Sequence, residues 1–386
     1  MLPFPLGLAL RNAFRHKLRT LLTVVGLTVA VLAFGLLSTV VDAWYVGAEG
    51  ASSTRLVVRN SISLVFPLPL TYKAKIRQID GVKAITTANW FGGTYKEPKN
   101  FFPQFAVGES YLDLYPEFVL SEAERTAFQR DRKGAIVGRK LAEQYGFKPG
   151  DVVQLKGTIF PGTWELVIRG IYSGKEPRTD VSQMLFHWDY MNEVVKQRYP
   201  RRQNQVGVYV VEIADPSRAA EISRAIDAEF RNSAAETLSE TEKAFQLSFV
   251  SMTEAIVVAI RAVSYVVIAI ILAVMANTMA MTVRERSAEY ATLKALGFAP
   301  GFVQGLIYGE SLIIAFLGGA IGIALTFPVA AAFAREMGTL FPIFLVSGTT
   351  VLLQAGCILG VGLIAAWFPA RQAARIPIVA GLRSVG

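Results

Sequence analysis

AVSYVVIAIILAVMANTMAMTVRERSAEYATLKALGFAPG, residues 262–301, decides the class of this chain. Its first 22 residues, Ala262 to Val283, carry no charge, whereas Arg284, Glu285, Arg286, Glu289 and Lys294 crowd into the next eleven. A bilayer core needs roughly 20 apolar residues of helix, so the first part reads as a membrane span. The second part reads as a short helix over 284–297, closed by Gly297 and broken by Pro300. A connection between spans needs only a polar turn. A charged helix there implies something for it to touch.

Working outward, three more charge-free runs appear: Thr20–Val41 over 22 residues, Ser311–Ala334 over 24 and Met337–Ala370 over 34. With 52% hydrophobic residues among 386 and a positive mean hydropathy, the chain is too apolar for an ordinary soluble protein of this length. Four transmembrane helices are predicted. Arg11, Arg15, Lys17 and Arg19 precede the first run, as in a signal peptide. Signal h-regions, however, span about 7–15 residues and end at a small-residue site. The longer run here ends at Val41-Asp42-Ala43-Trp44, so a retained anchor is expected.

Orientation follows from positive charge. The flanks 1–19, 284–300 and 371–386 hold Arg11, Arg15, Lys17, Arg19, Arg284, Arg286, Lys294, Arg371, Arg375 and Arg383, and the loop between spans three and four offers only Arg335. The positive-inside rule puts those flanks in the cytoplasm. Residues 42–261 then lie outside, with 28 Lys/Arg against 26 Asp/Glu, so they supply only +2 of the formal +9. The basic balance reflects topology, and nucleic-acid binding is not supported. The lone cysteine, Cys357, lies in the fourth span and can form no intrachain disulfide.

The external part, about 200 residues, is long enough for its own core and reads as mixed α/β. Strands are expected at RLVVR (55–59), DVVQL (151–155), WELVIRGI (164–171) and VGVYVVEI (206–213), and helices at YKAKIRQI (72–79), RKLAEQY (139–145) and SRAAEISRAIDAEFR (217–231). The last has Ala219, Ile222, Ile226 and Phe230 on one stripe. Between Pro216 and Gly297 there is neither Gly nor Pro, and a single helix from Glu236 to Val283 would extend ~70 Å. That is the expected stalk; a break near Asn232–Thr237 followed by an ordinary span is the alternative. Gly318-x-x-x-Gly322 and Gly356-x-x-x-Gly360 are small-residue spacings that let helices approach closely in lipid. They fit intrachain packing and dimerisation equally.

Catalytic signatures are missing. The two histidines, His16 and His187, stand outside any HExxH, GxSxG or metal-spaced pattern, and His187 reads as an ordinary domain residue. Ser173-Gly174-Lys175-Glu176 lacks the glycine-rich run and hydroxyl of a phosphate-binding loop. Neither a catalytic residue nor a metal site is expected, and the chain should not hydrolyse ATP by itself. Glu310, in LIYGESLIIAF, is an ionisable group at membrane depth and so a functional candidate. Its place near the inner interface favours a structural bond to a neighbouring helix over a proton or substrate role.

RNAFRHKLRTLLTVVGL, IRQIDGVKAI, IVGRKLAEQYGFKPGDVVQL, RERSAEYATLKALGF with GESLIIAFLGGAIG, and PARQAARIPIVAGLR occur in that order. Together they resemble the permease subunits of the MacB/FtsX/LolC group of ABC transporters, which have four spans and a large external domain after the first. The resemblance covers nearly the whole chain and implies three parts. Residues 1–45 would be a cytoplasmic amphipathic helix and the first span, 46–250 a MacB-like periplasmic core domain with a helical stalk, and 251–386 an FtsX-like permease domain. It also implies that 284–297 is a coupling helix docking on an ATPase through Arg284, Arg286, Glu289, Lys294 and the cap Gly297.

No ATPase domain is fused here, so ATP and Mg would be bound by a separate ABC ATPase in two copies, and this chain would bind no cofactor. The expected function is export of a substrate from the periplasm or outer leaflet by mechanotransmission. A second permease chain, identical or paralogous, and membrane lipid are expected partners, with a periplasmic adaptor possible, and the inner membrane is the expected location. The alternatives are a lipoprotein-releasing permease of the LolC/E kind or an FtsX-like regulator of wall hydrolases. A transmembrane sensor would need a cytoplasmic output domain. A secondary transporter would need inverted repeats and midplane ion ligands. The sequence shows none of these.

Overall fold

The computed structural model describes residues 4–337, 341 and 343–377. Helices α1 (Phe4–Ala13) and α2 (Lys17–Gly50) come first. The α/β elements follow, with strands β1 (Arg55–Asn60), β2 (Leu68–Pro69), β3 (Val82–Trp90), β4 (Gly93–Tyr95), β5 (Gln104–Val107), β6 (Phe118–Val119), β7 (Gly134–Gly138), β8 (Val152–Gly157), β9 (Gly162–Gly174), β10 (Met184–His187), β11 (Gln205–Val206), β12 (Val208–Ile213) and β13 (Thr237–Thr241). Interspersed among them are α3 (Tyr72–Ile76), α4 (Tyr111–Leu114), α5 (Glu122–Arg130), α6 (Arg139–Tyr145), α7 (Trp188–Arg198) and α8 (Ala219–Glu229). Then come α9 (Glu242–Met252), α10 (Glu254–Glu285), α11 (Ser287–Ala295), α12 (Pro300–Met337) and α13 (Gly348–Ala374). The chain forms two compact units: Met1–Ala43 with Thr253–Glu336 and Phe344–Gly386, and Trp44–Met252 with Met337–Ile343. Arg383, counted in the basic flanks, lies outside the described residues.

The α/β unit is built on a mixed sheet in the order β13-β1-β12-β3-β5-β10-β7-β9-β8-β4, with β6 paired to β9. Its central strands bury both faces. Met184 and Phe186 of β10, Ala135 and Val137 of β7, and Tyr209 and Val211 of β12 enter one apolar core. Their neighbours Leu185, Ile136 and Val210 enter the core on the opposite face. Strands covered on both sides read as continuous apolar runs without alternation. The expected strands at 55–59, 151–155, 164–171 and 206–213 are all present, and α6 spans 139–145 as expected. On α8, Ala219, Ile222 and Ile226 are buried, and so is Phe230 just beyond its end.

The single helix expected from Glu236 to Val283 is corrected. Its first residues form β13, which pairs antiparallel with β1 from Leu56↔Thr241 to Asn60↔Thr237. Asp227 fixes the strand by accepting from Thr237 Oγ1 at 2.9 Å, Ser239 N at 3.1 Å and Ser239 Oγ at 2.7 Å. An 11-residue α9 follows, and Thr253 (φ −109°, ψ 10°) interrupts the helix before the 32-residue α10. Lack of Gly and Pro permits a long helix. It does not outweigh a ladder of hydrogen bonds to a distant strand.

Arg55 is the unit's buried ionic centre, with 5% of its surface exposed. Its guanidinium donates to Glu117 at 2.6 Å, to Glu242 at 2.8 Å and to the Leu114 carbonyl at 2.9 Å. Glu242, the first residue of α9, also accepts from Ser52 N at 2.9 Å. One cation thus ties β1 to the end of α4 and to the start of α9, and Glu242 adds the segment ahead of β1.

In the other unit, α2, α10, α12 and α13 are each long and apolar enough to cross a membrane. Leu27 and Val31 of α2, Ile271, Met275 and Met279 of α10, Ile314 and Ala315 of α12, and Ile358, Val361 and Ala365 of α13 share one core. Gly318 and Gly322 bring α12 against α2. A Cβ at Gly318 would lie 2.8 Å from Val24 O, and one at Gly322 would lie 2.8 Å from Val31 Cβ. Thr28 Oγ1 donates to Gly318 O at 3.0 Å across that contact. Gly356 and Gly360 are different: a Cβ at either meets nothing within 4 Å, so they make no helix contact within the described chain. Gln354 is fully buried and donates to Val31 O and Thr326 Oγ1, each at 2.9 Å, linking α13 to α2 and α12.

Candidate functional site

The sequence SAEYATLKA makes α11 a nine-residue helix with Glu289 in its first turn and Lys294 in its last, both favourable to the helix dipole. Arg286 (φ −105°, ψ 15°) separates it from α10. Its N–H donates to Thr282 O at 3.1 Å, and its carbonyl accepts from Tyr290 N at 3.1 Å, so one residue closes α10 and opens α11. The C-terminus is a Schellman turn. Gly297 has φ +94°, Gly297 N donates to Lys294 O at 3.0 Å, and Phe298 N donates to Leu293 O at 3.1 Å. The left-handed φ requires the glycine, and Pro300 then starts α12 where its missing N–H costs no bond.

One face of α11 is buried. Tyr290 packs with Val283, Val303, Ile307, Ala366, Ala370 and Ala373, against the end of α10, the start of α12 and the end of α13. Ala291 beside it is also fully buried. Burying a side chain of this size contributes on the order of 2–3 kcal/mol. Burial also pushes the Tyr290 phenol up to about 12, against the pull of Arg286, whose guanidinium lies 5.1 Å from the ring centre.

Of the charged residues expected to face an ATPase, Arg286 is buried, Glu289 and Lys294 are partly exposed but paired within the chain, and Arg284 is exposed. Arg286 Nε reaches Glu289 at 2.9 Å and its Nη1 reaches Glu310 at 3.1 Å, with the Arg286 and Glu310 side chains 8% and 6% exposed. Glu289 also pairs with Arg15, from the turn between α1 and α2. Burial works against the Glu289 carboxylate, but Arg286 and Arg15 outweigh it and hold the carboxyl below its usual range. Arg19 makes two 2.7 Å bonds to Glu285, and His16 Nε2 lies 3.7 Å from the same carboxylate. Lys294 Nζ donates to Ile376 O at 2.9 Å and to Ala374 O, capping the end of α13. Uncovered by the chain remain Arg284, Glu285, Thr292 and the run 295–301, in which Leu296 is 72% and Phe298 36% exposed.

Sequence reasoning selected Arg286, Glu289, Lys294, Gly297 and Glu310 but missed Arg15, Arg19, Tyr290 and Gln354 as parts of this unit. The i,i+3 spacing of Arg286 and Glu289 was a readable signal. So was a lone glutamine inside an uncharged run. His187 is a core residue: its Nε2 lies 2.8 Å from Phe128 O, and its ring stacks on Phe128. Among the described residues, no group of three or more His, Cys, Asp or Glu is placed to hold a metal ion.

Residues 20–229 match the MacB-like periplasmic core domain, and residues 261–378 match the FtsX-like permease C-terminal domain. An uncharacterised ABC transporter permease of Methanocaldococcus jannaschii is 25% identical over 403 aligned positions, covering 97% of this chain and 96% of that protein. Among solved structures, the extracellular domain of the noncanonic ABC-type transporter YknZ from Gram-positive bacteria is similar at a TM-score of 0.35 and 13% identity, over 48% of this chain and all of that one. The periplasmic region of MacB from Actinobacillus actinomycetemcomitans is similar at 0.38 and 10%, over 52% of this chain and 94% of that one.

Proposed function

The chain belongs to the family of ABC transporter permeases that join a MacB-like periplasmic core domain to an FtsX-like permease domain, and on that premise we propose that it couples a separate ATPase to movement of its own α/β domain. In this reading α11 is the coupling helix. The flanks of α2, α10, α12 and α13 that carry the positive charge are cytoplasmic, the α/β unit is periplasmic, and both termini are cytoplasmic. Two ATPase subunits bind ATP and Mg, and two permease chains, identical or paralogous, respond to their closure. A substrate from the periplasm or outer leaflet is then driven onward, with a periplasmic adaptor as a further partner. The export reading, over lipoprotein release or control of a wall hydrolase, rests on the family resemblance alone.

The observation that carries the coupling role is the position of α11. A nine-residue helix lies between two membrane-length helices, packed on one face against α10, α12 and α13, and open on the other at Thr292, Leu296 and Phe298. A connecting loop needs neither the buried face nor the apolar exposed turn.

The experiment is co-expression of the chain with a candidate ABC ATPase from the same genome, followed by pull-down and ATP turnover. The chain alone is expected to show no ATPase activity, and turnover should appear with the co-purified partner. Substituting Leu296→Glu together with Phe298→Ser should abolish capture of the ATPase while leaving expression unchanged. Robust turnover by the chain alone, or capture that survives the double substitution, refutes the reading.

A further inference from the structure

A helix of nine residues between a kink and a left-handed glycine has two places to swivel. Arg286 leaves the helical region at one end of α11, and Gly297 does so at the other. If α11 swivelled there, any push on it would be absorbed at its own ends. Apolar packing around Tyr290 resists separation, but it is not directional and permits sliding. Two polar contacts supply the direction. At the N-terminal end the buried Arg286–Glu310 pair joins α11 to α12, and at the C-terminal end Lys294 bonds the last carbonyls of α13. These anchor points are eight residues apart, ~12 Å along a helix, enough to fix both the tilt and the axial rotation of α11.

We propose that Glu310 and Lys294 are positioning residues that make α11 one body with α12 and α13, so that displacement of α11 is delivered to those helices. The source of the displacement rests on the coupling role argued above; the tether itself does not. A buried ion pair is a poor device for stability alone, since apolar residues of the same volume usually serve as well. Its use here is orientation. The exposed pair Arg15–Glu289 and the partly exposed Arg19–Glu285 add support from the N-terminal segment, but neither joins α11 to α12 or α13.

Amide hydrogen exchange on the full chain in lipid nanodiscs tests the tether without an ATPase. In Glu310→Gln, and separately in Lys294→Met, α11 amides are expected to exchange at least about tenfold faster, while peptides of the α/β unit keep their rates. The charge swap Arg286→Glu with Glu310→Arg, made with Glu289→Gln so that the new carboxylate meets no like charge, should return α11 to within about threefold of the starting protein. Unchanged α11 exchange in both single variants overturns the proposal, as does a swap no better than Glu310→Gln. If Glu310→Gln alters the α/β peptides as well, it has misfolded, and Lys294→Met decides.

A second arm adds the ATPase and a non-hydrolysable ATP analogue. In the unsubstituted chain, nucleotide should change exchange in α11 and in the first turns of α12. In Glu310→Gln the ATPase should still co-purify and α11 should still respond, but α12 should not. A persistent α12 response in that variant overturns the proposal. A chain that captures no ATPase at all refutes the coupling role instead, and the first arm still decides the tether.

Discussion

At the scale of single residues, Glu289 shows how structure redirects a sequence argument. Reversing its charge looks from sequence like a clean probe of an external partner, but it would also break the pairs with Arg286 and Arg15. Its own titration is the better probe. Because Arg286 and Arg15 hold the folded carboxyl below its unfolded value of about 4.3, Glu289 contributes stability that is complete above that value. This is lost as pH falls through the lower folded value. The melting temperature in detergent should therefore hold from neutral pH to about 5 and drop below about 4, and Glu289→Gln should reduce the drop. Equal slopes in the two proteins would remove Glu289 from the account. The i,i+3 pairing on α11 was legible in the sequence. The partner Arg15, 274 residues away, was not, because no local period points to it.

At the scale of elements, the charge-free runs gave four helices correctly because a span is a local property of composition. Strand β13 was misread because its stability comes from β1, some 180 positions earlier. The small-residue motifs were legible as motifs, but which of them packs within the chain depends on how the helices cross. This separates two glycines with measurable consequence. Gly318→Ala places a methyl against Val24 O and Leu27, and overpacking of this kind costs about 1–3 kcal/mol. Gly356→Ala meets open space inside α13, so it should leave the isolated chain unchanged or more stable by up to about 1 kcal/mol. Thermal unfolding of both variants in one detergent checks the difference, and equal losses would contradict the α2–α12 contact. In the α/β unit, Arg55→Met strands Glu242 and Glu117 without their cation, and breaking a buried pair this way typically costs about 3–5 kcal/mol. A cooperative loss of that size on chemical denaturation is the expected result.

At the scale of the whole molecule, the proposed membrane topology makes a direct labelling prediction. With Cys357→Ser as background, single cysteines at the exposed positions Glu122 and Thr292 should label from opposite sides of intact spheroplasts. Labelling from one side would end the four-span arrangement. The class was readable from the chain, and so was a short helix after the second span, although it runs over Ser287–Ala295 and the expected start at Arg284 belongs to α10. What was not readable is that most of that helix's charges are used internally.

The turn at Leu296–Phe298 also bears on how cells keep subunit numbers matched. Apolar side chains left uncovered together can mark an interaction surface. If α11 docks on an ATPase as proposed, a copy made without that partner would display this turn continuously to chaperones and membrane proteases. Its lifetime should then follow the supply of partner, making an orphan subunit short-lived without a dedicated signal. Pulse-chase with the partner depleted should show accelerated loss of the chain, and Leu296→Ser with Phe298→Ser should slow that loss. Equal half-lives with and without partner would mean that the exposed turn goes unread by quality control.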